Sequence, residues 1–223
     1  MINIKKQELK QLLMAEATLV EKMVSMAMDG LYNFGSAFLE EVLTFEKRVN
    51  QIEVELDGKC ASLIALFQPE AKDLREILMI YKINNDLERL GDQAVNIAES
   101  AAQLVGNPVV KSIPELMDMK VAALKMLKDS LDAFAKEDVP TARNVCNDDN
   151  IVDDLNRKIY MHLVQLMRTN PQQVDLYLHI LRIAKNLERI GDLSTNIAEN
   201  TIYSSEGKVI KHHSEEQELS KTK

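Results

Sequence analysis

The string LERLGDQAVNIAE, from Leu87 to Glu99, recurs as LERIGDLSTNIAE from Leu187 to Glu199 in a chain of 223 residues. A repeat of this kind restricts the fold to a duplicated unit, and the residues it keeps say which face of that unit was kept. Glu88/Glu188, Arg89/Arg189, Gly91/Gly191, Asp92/Asp192, Asn96/Asn196 and Glu99/Glu199 all coincide. A shared apolar period would fix the greasy positions and leave polar identities free. The coincidence of polar residues and glycine therefore points to a task beyond packing.

The unit is helical. The whole chain holds five Pro, seven Gly and no Trp, and its Leu, Met, Ala, Glu and Lys are the residues long helices use. Gln68-Pro69-Glu70 and Asn170-Pro171-Gln172 read as tight helix connections, with Pro in a first helical turn. Gly106-Asn107-Pro108 is the strongest central break, and Ser112-Ile113-Pro114-Glu115 reads as a capping start for the helix that follows. Three helices then fall in each half: about Ile4 to Phe38, Glu40 to Phe67 and Glu70 to Val105, followed by Pro114 to Ala135, Val139 to Arg168 and Pro171 to Tyr203. Short connections make neighbours antiparallel. The expected architecture is all-α, two tandem pseudo-symmetric three-helix bundles of spectrin-repeat type. They span 1–107 and 108–205, with a frayed polar tail over 206–223.

Composition also excludes. A net charge of −8 would repel a phosphate backbone, which argues against direct nucleic-acid binding. The start carries Lys5 and Lys6 but also Glu8 and Glu16, so it lacks the apolar core of a signal peptide. No apolar run approaches the roughly 18 residues of a membrane span. Lys22 and the other basic residues of the first helix alternate with Glu21 and its like, so no basic lipid-binding face forms. A cytoplasmic protein that meets a membrane only through partners is expected. Cys60 and Cys146 form no pair motif and read as small apolar packers.

On a helical wheel Glu88, Asp92, Asn96 and Glu99 lie at about 0, 40, 80 and 20°, while Leu87, Leu90, Ala94, Ile97 and Ala98 lie between about 180 and 280°. The third helix is thus split into a core stripe and a stripe of oxygen donors, and the sixth repeats it. Like charges at i and i+4 cost a few tenths of a kcal/mol, and a mid-helix Gly costs about 1 kcal/mol against Ala. Gly91 and Gly191 accept that cost between the acids, where they permit close approach of another helix or of an ion cluster. The second helices offer partners at matching spacing: Glu46, Asn50 and Glu53, and Asp149, Asp153 and Asn156. Hard oxygens converging from two helices suit Mg²⁺, Ca²⁺, Mn²⁺ or iron. The candidate metal ligands are Glu46, Asn50, Glu88 and Asp92 in the first half, and Asp149, Asp153, Glu188, Asp192 and Asn196 in the second. With Asn50 in place of an acid, the first site is expected to be the weaker.

At LERLGD and LERIGD, each followed by NIAE, and at QPEAKDLR after the second helix, the chain resembles the PhoU family of phosphate-transport accessory proteins. The likeness extends over nearly the whole length. It implies two PhoU-like three-helix bundles, surface clusters of iron or zinc on the E/D-x-x-x-D motifs, and a homodimer. It also implies a negative regulator that, when phosphate is plentiful, restrains the high-affinity transporter through its ATPase subunit PstB and holds the sensor histidine kinase PhoR in its signal-off state. Two rival readings are weighed beside it. A carboxylate-bridged metalloenzyme needs Glu-x-x-His pairs in a bundle interior, and none of His162, His179, His212 and His213 follows a Glu by three residues. An inert helical scaffold leaves the recurrence of Gly and Asn beside the acids without a reason. The protein is therefore expected not to be an enzyme.

Overall fold

Apolar residues at helical spacing run through each segment, and in a computed structural model of the chain, which describes residues 1–32 and 37–207, they fold into helices throughout. Among the described residues these are α1 (Ile2–Gly30), α2 (Ala37–Phe67), α3 (Ala71–Ala102), α4 (Glu115–Lys136), α5 (Val139–Thr169) and α6 (Val174–Glu206). Short 3-10 turns cover Pro108–Ser112 and Pro171–Gln173. No described helix is long and apolar enough to cross a membrane. Helices α1–α3 pack on one another, as do α4–α6, and the two bundles meet through α3 against α6 and α1 against α4. One continuous core results, from Leu13, Val20 and Val24 of α1 through Ile83, Leu87 and Leu90 of α3 to Ile183, Leu187 and Ile190 of α6.

Several helix ends differ from the expected ones, for local reasons. The first helix stops at Gly30 rather than Phe38, because α2 returns over that point: a β-carbon on Gly30 would lie 2.5 Å from the Phe38 ring. Residues 33–36 of the expected helix, and the tail from 208 onward, lie outside the described residues. Pro69 stands before α3, whose cap is the extended Glu70, and the turn is made by Gln68 and Ala71 at φ 43 and 40°. Pro171 opens the 3-10 turn that feeds α6, so the helix itself starts later, at Val174.

Ser112 does not cap α4. Its hydroxyl donates to the Val109 carbonyl at 2.6 Å, while the Asn107 side chain accepts from the Val109 amide at 3.0 Å. The linker is thereby folded on itself, with Val109, Val110 and Ile113 buried in the core. The cap that sequence reading overlooked is Asp138, which accepts from both the amide and the hydroxyl of Thr141 at the start of α5.

Charged groups fasten the start of α1 to that of α3. Burial alone would raise the pKa of Glu76, yet hydrogen bonds from Lys6 and Lys10, at 2.6 and 2.9 Å, hold it below the ordinary carboxylate value. Burial raises the thiols of Cys60 and Cys146 to about 11, so both are inert at neutral pH.

Two glycines in α1 and α2 separate the roles a helical glycine can have. Gly30→Ala should destabilise the fold by about 1–3 kcal/mol through forced displacement of Phe38, whereas Gly58, with nothing within 4 Å of its added β-carbon, should gain up to about 1 kcal/mol on replacement by Ala. Urea unfolding midpoints of the two variants measure both effects, opposite in sign.

Candidate functional site

In the second half the repeated motif lies against α5. A β-carbon on Gly191 would stand 3.3 Å from Oδ1 of Asp149 and 3.4 Å from Cγ1 of Val152, closer than most side chains tolerate. The glycine is required for this approach, which sets Asp149 and Asp153 of α5 beside Glu188 and Asp192 of α6. Two of the four acids have their proton affinity raised, by burial first and by their acidic neighbours second. Burial lifts Asp149 to about 6 from an ordinary 3.8, with Asp153 and Asp192 adding to it. Asp192 is raised by burial, then by Glu188 and Asp153. Glu188 accepts a 3.3 Å hydrogen bond from the Asn156 amide and pairs with Lys185 one turn away.

The first half builds a related face on α2 and α3. Burial, Asp92, Glu53 and Glu46 together raise Glu88, with Arg89 opposing them. Asn50 is exposed, yet this face is not short of charge. Glu53 contributes a fourth carboxylate where the second half has Asn156, so each face carries four acids: Glu46, Glu53, Glu88 and Asp92 against Asp149, Asp153, Glu188 and Asp192. An acid one turn beyond Asn50 thus brings the first face to the same number of carboxylates as the second. Gly91 is less tightly met than Gly191, with Val49 at 3.6 Å and Met23 at 3.7 Å.

The NIAE part of the motif has a different place. Oδ1 of Asn96 and Oε2 of Glu99 accept from the guanidinium of Arg182 at 2.6 and 3.1 Å, joining α3 to α6. Their counterparts Asn196 and Glu199 line a cleft of about 400 Å³ with Tyr81, Lys82, Asn85, Asp86 and Asn200. Asn196 is a candidate ligand by its place on the oxygen-bearing stripe of α6. The structure turns it toward α3 instead, because the helices approach α6 from two sides and the single wheel stripe spans both.

All candidate donors are carboxylate or amide oxygens, a set that suits hard cations and iron better than zinc, which favours Cys and His. As the side chains stand, no three His, Cys, Asp or Glu among the described residues are gathered into a ready ion-holding set. Binding an ion on either face would require the carboxylates to rotate inward. Three polar residues near the first face went unnoticed in the sequence: Glu16, Asp57 and Asn84. Glu16 had a visible signal, an acid continuing the buried Leu9, Leu13, Val20 stripe of α1.

Fold and faces together define a class: a tandem three-helix-bundle protein that presents two equivalent acidic surfaces. The PhoU domain family model matches residues 13–101 and 116–201, and the chain belongs to the PhoU family. A phosphate-specific transport system accessory protein PhoU homolog of Aquifex aeolicus is 35% identical over 206 residues, covering 92% of this chain and 93% of that one. A Thermotoga maritima homolog is 33% identical over 194 residues, 86% of this chain and 84% of that one. The crystal structure of PhoU from Pseudomonas aeruginosa superposes with a TM-score of 0.87 at 33% identity, over 93% of this chain and all of that one (100%). The phosphate transport system regulatory protein PhoU from Streptococcus pneumoniae gives 0.87 at 27%, over 94% and 99%.

The raised Asp149 makes a pH prediction. Its folded pKa lies above its unfolded one, so between pH 3.8 and about 6 the folded chain holds a proton that the unfolded chain has released, and stability falls as pH rises through that window. Asp149→Asn should flatten this part of the profile and leave the metal-free protein more stable at pH 7, as read from urea midpoints.

Proposed function

We propose that this protein is an accessory regulator of the phosphate-specific transport system, acting on the cytoplasmic side when phosphate is plentiful. It restrains high-affinity phosphate uptake through the transporter's ATPase subunit, PstB, and holds the sensor histidine kinase, PhoR, in its signal-off state. Support comes from the relatives, which carry the name of accessory protein of that system over most of both chains. The observation that carries the mechanism is the pair of four-acid faces set at equivalent places in the two bundles.

The protein works by binding and is not an enzyme. A partner is shifted only if one of its conformations is bound better than the other, since equal affinity for both changes nothing. Clustered carboxylates, most of them half-buried with Asp92 and Asp192 exposed, provide such selectivity: their mutual repulsion is relieved by a basic surface in the right place and in no other. Two faces on one body also allow two-point attachment, with the second contact made at high effective concentration. The protein acts as a homodimer in this reading. Iron, or another hard cation, held by Glu46, Glu53, Glu88 and Asp92 and by Asp149, Asp153, Glu188 and Asp192 would neutralise the faces and offer its charge to an anionic partner group.

Affinity capture from cells grown in high and low phosphate tests the proposal, comparing the wild type with Glu188→Lys/Asp192→Lys and with Glu88→Lys/Asp92→Lys. The expected outcome is recovery of the transporter ATPase or the kinase by the wild type in high phosphate, loss of that recovery in the reversals, and derepressed uptake. Intact repression in the combined reversal would overturn the role of the faces. Metal analysis of protein purified without chelator should find iron in preference to zinc, reduced in Asp149→Asn/Asp192→Asn.

A further inference from the structure

The two bundles are duplicates whose interiors differ at one level in particular. In α1 the buried stripe carries Glu16, 0% exposed, where the matching stripe of α4 carries Met119. Neither carboxyl oxygen of Glu16 has a hydrogen-bond partner. Across the core, Asn84 of α3 is also 0% exposed. Its amide nitrogen donates to the Glu53 carbonyl at 3.0 Å and to Oδ1 of Asp57 at 2.9 Å, while its Oδ1 is buried without a partner. The corresponding positions of the second bundle hold Tyr160 for Asp57 and Ala184 for Asn84. Three helices have each acquired a polar oxygen at one level of one bundle.

Buried polar atoms are paired in nearly every folded protein, and a buried group without a partner calls for an explanation. Here the unpaired atoms are all acceptors. The field at Glu16 is that of further acids: Glu53, Asp57 and Glu88 all add to its burial in raising its pKa, to about 9. The Asn84 amide nitrogen is already engaged with Asp57 and the Glu53 carbonyl, so no side-chain donor reaches the Glu16 oxygens or Asn84 Oδ1, and a cation would meet the need of every member at once.

We propose that Glu16, Asp57 and the amide oxygen of Asn84, with Glu53 at the opening toward solvent, form an interior site for a divalent cation in the first bundle. It lies beneath the first surface face, with which it shares Glu53, and is absent from the second bundle. The donors are all hard oxygens, so the class of ion is Mg²⁺, Mn²⁺ or Ca²⁺. Glu53 and Asp57 are half-buried and turn inward as the site fills, while Glu16 and Asn84 are already held by the core. The inference does not depend on the proposed partners.

Mn²⁺ added to chelator-stripped protein, with the free ion counted by electron paramagnetic resonance, tests it. To silence the surface, the starting protein is Glu46→Gln/Asp92→Asn/Asp149→Asn/Asp192→Asn, in which one Mn²⁺ per chain is expected to remain bound. Adding Glu16→Met, the residue that the second bundle uses, should remove that ion while the helices stay folded by circular dichroism. Glu16→Gln, which keeps the shape, should weaken it at least tenfold and serves if the Met variant does not fold. Thermal melting should invert: without metal the Met variant melts above its parent, and with saturating Mn²⁺ that advantage disappears. Equal Mn²⁺ binding with and without Glu16→Met would overturn the proposal. So would no binding in the starting protein, and stability that then falls as pH rises from about 5 to about 9 would identify Glu16 as a buried neutral acid.

Discussion

The crossing of α6 over α5 at Gly191 governs what the second bundle can present to its surroundings. Asp149 and Val152 of α5 occupy the space where a β-carbon would stand, so the register between the two helices is fixed at that point. Glu188 and Asp192 lie three residues before and one after the glycine, and fixed register brings them level with Asp149 and Asp153. Burial of the acids and, after it, repulsion among them are the cost of that arrangement, visible in the raised proton affinities of Asp149 and Asp192. The apolar stripe on the other side of α6, through Ile183, Leu187 and Ile190, holds the helix against this repulsion. A charged face can persist because the core beneath it is continuous across both bundles.

The repeated motif therefore does two things. Its first part, LER-x-GD, sets acids against the second helix of its own bundle. Its second part, NIAE, faces the other bundle, where Asn96 and Glu99 receive Arg182 and Asn196 and Glu199 line the reciprocal cleft beside Lys82. The pairing of α3 with α6 explains why the same polar residues recur in both halves: each copy meets the other. Duplication left the faces similar in charge, though distributed differently, with Glu53 and Asn156 exchanging the roles of Asn50 and Asp153.

Much of this was legible in the sequence. Helical periodicity, the proline-marked turns and the repeat were enough to read six helices in two bundles, and the wheel placed Glu88 and Asp92 opposite Leu87 and Leu90. Helix ends were read less well, since they depend on packing between segments: α1 ends where Phe38 returns over Gly30, which no local signal at Gly30 discloses. That Asn196 lines a cleft with residues of α3 was not legible, because a wheel shows one helix and not its neighbours, and α6 has neighbours on several sides. Glu16 was passed over as one of many acids in a mixed-charge helix. Its place in the apolar stripe could have been seen, but its lack of any partner is a property of three helices together.

Carboxyl footprinting by carbodiimide labelling tests most directly whether the paired acids are the surface on which this protein acts. The protein is labelled alone and in complex with the transporter ATPase, and modification is compared residue by residue. Protection is expected at Glu46, Glu88, Asp92, Asp153, Glu188 and Asp192, with exposed acids elsewhere, such as Glu41, Glu55 and Asp154, labelled equally in both states. Protection confined to those other acids, with the two faces labelled as in the free protein, would contradict this expectation.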